Sequence, residues 1–238
     1  MKQLLKVKVI LMVLLTLGGC AVQMEKTRRA GRVAILKPSK IERFKELHKT
    51  AQPDMLEKMK ERNIHNYSIY LKDLGQDRFA AFAYFEYEGN KIKDDILPEE
   101  NDIQWVGMEE VFYFDGKTDA KIDETKVQRY GMVIGLRPEM VPSYKLLHKY
   151  AWPEVLDAIE KGNIRNYSIY LLKLKGEYYL FSYFEYIGDN FNTDMSMVDN
   201  DPATIAWIKF TDIACQIPIP TRAEGEWWAV MEEVYHFD

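Results

Sequence analysis

From about position 32 onward, the pattern of apolar and polar residues is written twice. Val33 to Leu36 and Tyr130 to Leu136 are short apolar runs that predict the first strand of each copy. Helices follow: Ser39-Lys40-Ile41-Glu42 has capping-box spacing in the first copy, and in the second the helix starts near Pro142 or Ser143. In the second copy Tyr144, His148 and Trp152 are spaced four apart, so one continuous helix would stack them on a single face beside Leu147, Leu156 and Ile159. Pro53 and Pro153 each fall five residues after a histidine, where a helix interior does not accommodate proline. A kink or a fresh helical start is expected there. Asn166 to Lys173 and Tyr178 to Tyr186 read as strands joined by a turn at Lys175-Gly176-Glu177. A loop, a helix around Ala203 to Phe210 and a last strand from Trp227 to Phe237 complete the second copy.

The repetition extends to residue identity. Asn63-Ile64-His65-Asn66-Tyr67-Ser68-Ile69-Tyr70-Leu71 returns at 163–171 with Arg165 in place of His65 as its only change. Tyr84-Phe85-Glu86-Tyr87 returns as Tyr183-Phe184-Glu185-Tyr186, and Met108-Glu109-Glu110-Val111 as Met231-Glu232-Glu233-Val234. Matches that keep their order along the chain indicate duplication. The copies are assigned to 32–115 and 129–238, with a charged, turn-prone linker at 116–128. Strand, helix, strand, strand, helix, strand is the ferredoxin-like order, so the class expected is α+β with two tandem units. Such a sheet leaves one face open, and two units in one chain can cover each other's. Between Tyr87 and Met108 there are 20 residues against 44 between Tyr186 and Met231, so the first unit is expected to lack the second helix.

Residues 1–19 read as an address. Lys2, Lys6 and Lys8 precede an apolar run from Val9 to Leu17 that is too short to span a bilayer, and Leu17-Gly18-Gly19-Cys20 closes it with small residues before a cysteine. This ending resembles the bacterial lipoprotein signal. The resemblance implies lipidation at Cys20, a tether over 20–31 and a membrane-anchored, extracytoplasmic protein at the periplasmic or outer cell surface. Removing 1–19 takes away three lysines and no acid, shifting the net charge from −5 to −8. So acidic a domain, without a basic stripe, makes nucleic acid an improbable partner. Cys215 then remains alone, which leaves no intrachain disulfide framework.

There is no phosphate-binding glycine loop, no cysteine pair and no two histidines at ligand spacing, so the metal and nucleotide readings are weak. What the second copy does offer is an aromatic surrounding for His148: Tyr144, Trp152, Tyr167, Tyr170, Trp207, Trp227 and Trp228. Aromatic faces pack on the C–H faces of sugars, and tyrosine hydroxyls bond to sugar hydroxyls. For most of these rings, taken singly, a place in the core accounts for them equally well.

The order Tyr144-x3-His148-x3-Trp152-Pro153-Glu154, then Asn166-Tyr167-x-Ile169-Tyr170, then Trp207, then Glu233-Val234-Tyr235 resembles the L-rhamnose mutarotase family over nearly all of the second copy. The resemblance implies ferredoxin-like units of the dimeric α/β-barrel type, a monosaccharide substrate (L-rhamnose or a related deoxy sugar) and no cofactor. It also implies pairing as an intrachain pseudo-dimer or a homodimer. Carried over by position, His148 is the acid/base group, Tyr144 and Tyr167 contact the sugar, and Trp207 lines the pocket. Ile208 stands where the family has a second tryptophan. Tyr144 or Glu233 would orient or complement the histidine, and Trp227-Trp228 could approach the pocket from another side. In the first copy His48 and Tyr67 form a candidate second site, but Phe44 and Gln52 replace the family's tyrosine and tryptophan. That copy reads as degenerate.

Interconversion of the anomers by histidine acid/base catalysis is the leading expectation. A non-catalytic sugar-binding lipoprotein with the same fold is the alternative.

Overall fold

The computed structural model describes residues 27–49, 53–89, 103–116 and 122–238, apart from the side chains of Pro53 and Asp54. The signal segment 1–19, Cys20 and most of the tether lie outside these residues. So does most of the stretch in which the first unit was expected to lack a helix.

The first copy comprises β1 (Arg28–Leu36), α1 (Ile41–Lys49), α2 (Pro53–Glu61), β2 (Ile64–Asp73), β3 (Phe79–Tyr87), β4 (Val106–Gly107) and β5 (Glu109–Phe114). The second comprises β6 (Gln128–Leu136), α3 (Val141–Lys149), α4 (Pro153–Lys161), β7 (Ile164–Leu174), β8 (Glu177–Tyr186), α5 (Phe191–Asp199), α6 (Pro202–Ile208), β9 (Gln216–Ile217), β10 (Ala229–Val230) and β11 (Glu232–Phe237). The β7–β8 hairpin turns at Lys175 and Gly176, both at positive φ (49° and 92°), the twist a two-residue hairpin favours. Pro53 and Pro153 each open a new helix, where the missing N–H costs nothing. α3 therefore stops at Lys149. Trp152, with extended backbone, is the cap of α4 and does not continue the face of Tyr144 and His148. β1 begins at Arg28, inside the stretch read as tether. α5 occupies a segment read as loop.

The two sheets have strand orders β11-β2-β3-β1-β4 and β10-β6-β8-β7-β5, with β9 added alongside β6. The copies exchange their last strands. β5 pairs with β7, Glu109 opposite Leu171, and β11 pairs with β2, Glu232 opposite Leu71. The final strand of each copy thus completes the sheet of the other. Lysines from the receiving helix reach the arriving strands in both directions: Lys145 Nζ lies 2.5 Å from Glu109 and Lys45 Nζ 2.6 Å from Glu232.

The sheets pack face to face, burying Tyr70, Phe82 and Tyr84 of one against Tyr170, Phe181 and Tyr183 of the other. Tyr84 and Tyr183 stack with centroids 3.6 Å apart and planes within 6°. Gly31 and Gly131 lie under the partner tyrosines, and a Cβ there would come within 2.6 Å of Tyr170 and 2.3 Å of Tyr70 respectively. Beside this stack Asn66 and Asn166 sit at matching bulges with positive φ. Asn66 Nδ2 donates to Glu86 Oε1 (2.8 Å) and Glu185 Oε1 (2.7 Å), and Asn166 Nδ2 to the same pair (2.6 and 3.0 Å). The repeated Asn-Tyr-Ser-Ile-Tyr motif therefore joins the units. Its asparagines bond across the pseudo-twofold, and Asn166 points away from the His148 region.

Candidate active site

The helices of the second unit stand off its sheet far enough to leave a cavity of about 330 Å³, at the lower end of the range for small-molecule pockets. Tyr144, His148, Tyr167, Trp207 and Ile208, the residues singled out in the sequence, all line it.

His148 follows Tyr144 by one turn of α3. Its ring stacks on that tyrosine (centroids 4.0 Å apart) and meets Phe112 (5.5 Å) and Trp207 (5.6 Å) edge to face. Nδ1 lies 3.0 Å from the Tyr144 carbonyl oxygen. A carbonyl only accepts, so Nδ1 carries the proton and Nε2 keeps a lone pair. Burial among these rings lowers the His148 pKa to about 4, the carbonyl bond opposing the shift. At neutral pH this residue is an uncharged base.

The cavity is also lined by a carboxylate that the sequence reading missed. α6 ends at Ile208 and runs into a single π turn, Lys209–Ile213. Residues five apart on a regular α-helix point roughly 140° away from one another. The wider turn brings Trp207 and Asp212 to the same cavity wall. The Thr211 hydroxyl lies between the Trp207 carbonyl (3.2 Å) and Asp212 Oδ1 (3.1 Å). Burial pushes the Asp212 pKa up to about 6; the Thr211 hydroxyl opposes the shift and the nearby Asp199 charge adds to it. Histidine and carboxylate have thus exchanged their usual order. The group that titrates near neutrality is the aspartate.

Three further groups face the space. The Tyr144 and Thr204 hydroxyls are buried without a hydrogen-bond partner, the former facing Gln216 without forming a bond of normal geometry. Buried polar atoms are rarely left unpaired, so these are places for a ligand's hydroxyls. Burial also raises the Tyr144 and Tyr167 hydroxyls above their ordinary range, which keeps both as donors. Gln216 accepts from Trp227 Nε1 (2.7 Å), leaving its amide nitrogen to donate. Trp228 joins the lining, as its position beside the last strand allowed. Trp152 packs against Trp207 (5.3 Å) as a buttress.

One expectation is corrected, and two residues were missed. Glu233 does not complement His148: it belongs to β11, in the other sheet, where its carboxylate lies 3.5 Å from the Tyr70 hydroxyl. The aromatic wall at that side of the cavity is Phe112, delivered by β5 from the first copy. No signal in the sequence pointed to Phe112, because its assignment depends on the strand exchange. Asp212 was hidden by the π turn.

The candidate second site is assembled differently. His48 and Tyr67 both pack on Tyr235, and the His48 Nδ1–H donates to the Phe44 carbonyl (2.8 Å). Its ring packs on Phe44 (4.3 Å) and on Tyr235 of the exchanged strand (6.2 Å), within a core that includes Tyr67 and Phe85. Among the described residues, no group of three or more histidine, cysteine or acidic side chains is placed to hold a metal ion.

Among solved structures the chain is similar to a candidate monooxygenase from Fusobacterium nucleatum (13% identity, 88% of this chain and 94% of that one, TM-score 0.47). It is similar also to one from Lactobacillus acidophilus (6%, 88% and 95%, 0.47) and to an anthrone oxidase-like protein (13%, 87% and 92%, 0.42). No curated protein sequence matches it. A sequence profile described as L-rhamnose mutarotase matches residues 29–113 and again residues 129–237, taking in both copies and most of the chain. By that double match, the chain belongs to the L-rhamnose mutarotase family.

Proposed function

We propose that the protein is an aldose mutarotase that interconverts the α and β anomers of L-rhamnose or a related deoxy sugar at the second-unit cavity. The observation that carries this is the pairing, in one cavity of monosaccharide size, of a neutral His148 whose Nε2 is free to accept with a carboxyl that titrates near pH 6. Environments that drive two titrating groups apart in pKa define a base and an acid.

In the forward half-reaction His148 Nε2 takes the proton of the C1 hydroxyl, and the protonated Asp212 gives its proton to the ring oxygen as the C1–O5 bond breaks. The aldehyde turns about C1–C2. The O5 hydroxyl then attacks the other face of C1, returning its proton to Asp212, while the new C1 oxygen takes the proton held on His148. No atom or electron is left over. Tyr144, Thr204 and Gln216 hold sugar hydroxyls, and Trp207 and Phe112 supply flat apolar walls for its C–H faces.

Saturation-transfer NMR on the anomeric protons of L-rhamnose, with the protein from Ala21 onward and its His148→Ala variant, tests this reading. Accelerated exchange that disappears in the variant supports it. Binding without acceleration in either protein replaces it with a sugar-binding lipoprotein. The N-terminal sequence supports secretion with lipidation at Cys20 and an extracytoplasmic site of action. Mass spectrometry of the mature N-terminal peptide checks this by finding, or not finding, acyl chains on Cys20.

A further inference from the structure

The cavity is not polar throughout. Ring contacts lead away from the base, His148 to Phe112 (5.5 Å), Phe112 to Tyr167 (5.4 Å) and Tyr167 to Phe184 (5.6 Å), and Phe184 and Phe191 each stack on Tyr130, which is not part of the lining (5.0 and 4.7 Å). The acid, the base and the unpartnered Tyr144 hydroxyl belong to the His148 half. Past Tyr167 the strand and α5 residues of the lining include Met132, Ile164, Phe184, Phe191 and Met195, all apolar, while Asp199, one turn beyond Met195, lies near enough to Asp212 for its charge to raise that group's pKa. A sugar seated with C1 and O5 at His148 and Asp212 turns C3 and C4 towards the apolar residues, since they lie across the ring. Hydroxyls packed against Met132, Phe184, Phe191 and Met195 find no hydrogen-bond partner on those side chains, which is costly. An ether methyl in their place removes the donor and adds apolar contact.

We propose that the substrate class of this site is a deoxy sugar carrying a small apolar substituent, an O-methyl ether, on C3 or C4, recognised by the apolar end formed by Met132, Phe184, Phe191 and Met195. This rests on the mutarotase reading above.

The test compares anomer exchange of L-rhamnose, 3-O-methyl-L-rhamnose and 4-O-methyl-L-rhamnose by the same NMR measurement, in the protein and in its Met195→Asn variant. Burial of one methyl group corresponds to about 4-fold in kcat/KM. At least one ether is therefore expected to exceed L-rhamnose by that factor or more. Met195→Asn offers the free hydroxyl a partner and should bring the ratio down towards unity. A ratio between two sugars on one protein sample is insensitive to any loss of folded material. If L-rhamnose is exchanged as fast as both ethers or faster, the substituent proposal is overturned and the mutarotase reading stands. If an ether is favoured but Met195→Asn leaves the ratio unchanged, its placement against α5 is overturned. If no sugar is exchanged faster than in buffer, the mutarotase reading fails and this proposal with it.

Discussion

His48 and His148 occupy the same place in the two copies, and each bonds through Nδ1 to the carbonyl one turn earlier, at 2.8 and 3.0 Å. Their surroundings differ. His48 is buried against Phe44 and Tyr235 in a packed core, whereas His148 opens on a cavity walled by Tyr144, Phe112 and Trp207. The connection after the third long strand supplies the far wall of that cavity and its carboxylate, and it spans 44 residues in the second copy against 20 in the first. The same point of the helix thus carries a packed histidine in one copy and a cavity-lining one in the other.

The sharpest way to break this comparison is to remove each imidazole in turn. His148→Ala is expected to reduce anomer exchange to the uncatalysed rate, while His48→Ala leaves exchange within about 2-fold of the parent and instead costs about 1–3 kcal/mol of stability in urea unfolding, as a buried, hydrogen-bonded ring should. Equal losses of exchange in the two variants would make the first copy a working site. Next in size, Asp212→Asn should lower kcat by about 10²-fold, the usual worth of a positioned general acid. It should also abolish the fall in rate above about pH 6, where the parent loses its protonated carboxyl. A variant that keeps that limb places the titration elsewhere.

A smaller effect tests the strand exchange. Phe112→Ala, in the first copy's last strand, should slow exchange about 10-fold, whereas Tyr235→Ala, at the corresponding place in the second copy's last strand, should affect stability and leave exchange alone. The opposite outcome would return each strand to its own unit.

The smallest effect is thermodynamic. The folded His148 pKa is about 4 against an ordinary 6.5, so between those values the unfolded chain binds a proton that the native protein does not, and stability falls as pH drops through that window. For Asp212, with a folded pKa of about 6 against 3.8, the native state binds the extra proton, so stability rises as pH drops from about 6 to about 3.8. Asp212→Asn should therefore raise the thermal midpoint more at pH 7.5 than at pH 4.5, and His148→Gln should do the reverse. Thermal unfolding at the two pH values measures both.

Much of the site was legible in advance. The spacing of Tyr144 and His148 puts them on one helical turn, whereas Tyr167, Trp207 and Ile208 were grouped with them by the resemblance to the L-rhamnose mutarotase family, since no local pattern links a strand residue to a helix forty residues on. Reading Trp152 onto the same helix failed because Pro153 starts a new helix three residues beyond the Tyr150 cap of α3, leaving Trp152 as an extended N-cap. Asn166 adjoins Tyr167 in the motif but does not line the cavity. Alternate residues on a strand face opposite ways, and the bulge at Asn166 turns its amide to the pairing interface.

By itself, the sequence determined the duplication, the order of strands and helices apart from α5, and the histidine with its aromatic neighbours, because these follow from residue identities and from periodicities set by the local backbone. Only the tertiary structure decided that β5 and β11 cross to the opposite sheets, that Phe112 rather than a residue of the last strand walls the cavity, and that a π turn brings Asp212 into the cavity lining. A strand edge is satisfied by any partner with matching hydrogen-bond groups. Which partner it takes depends on the surface buried between residues far apart in the chain, and no local pattern records that.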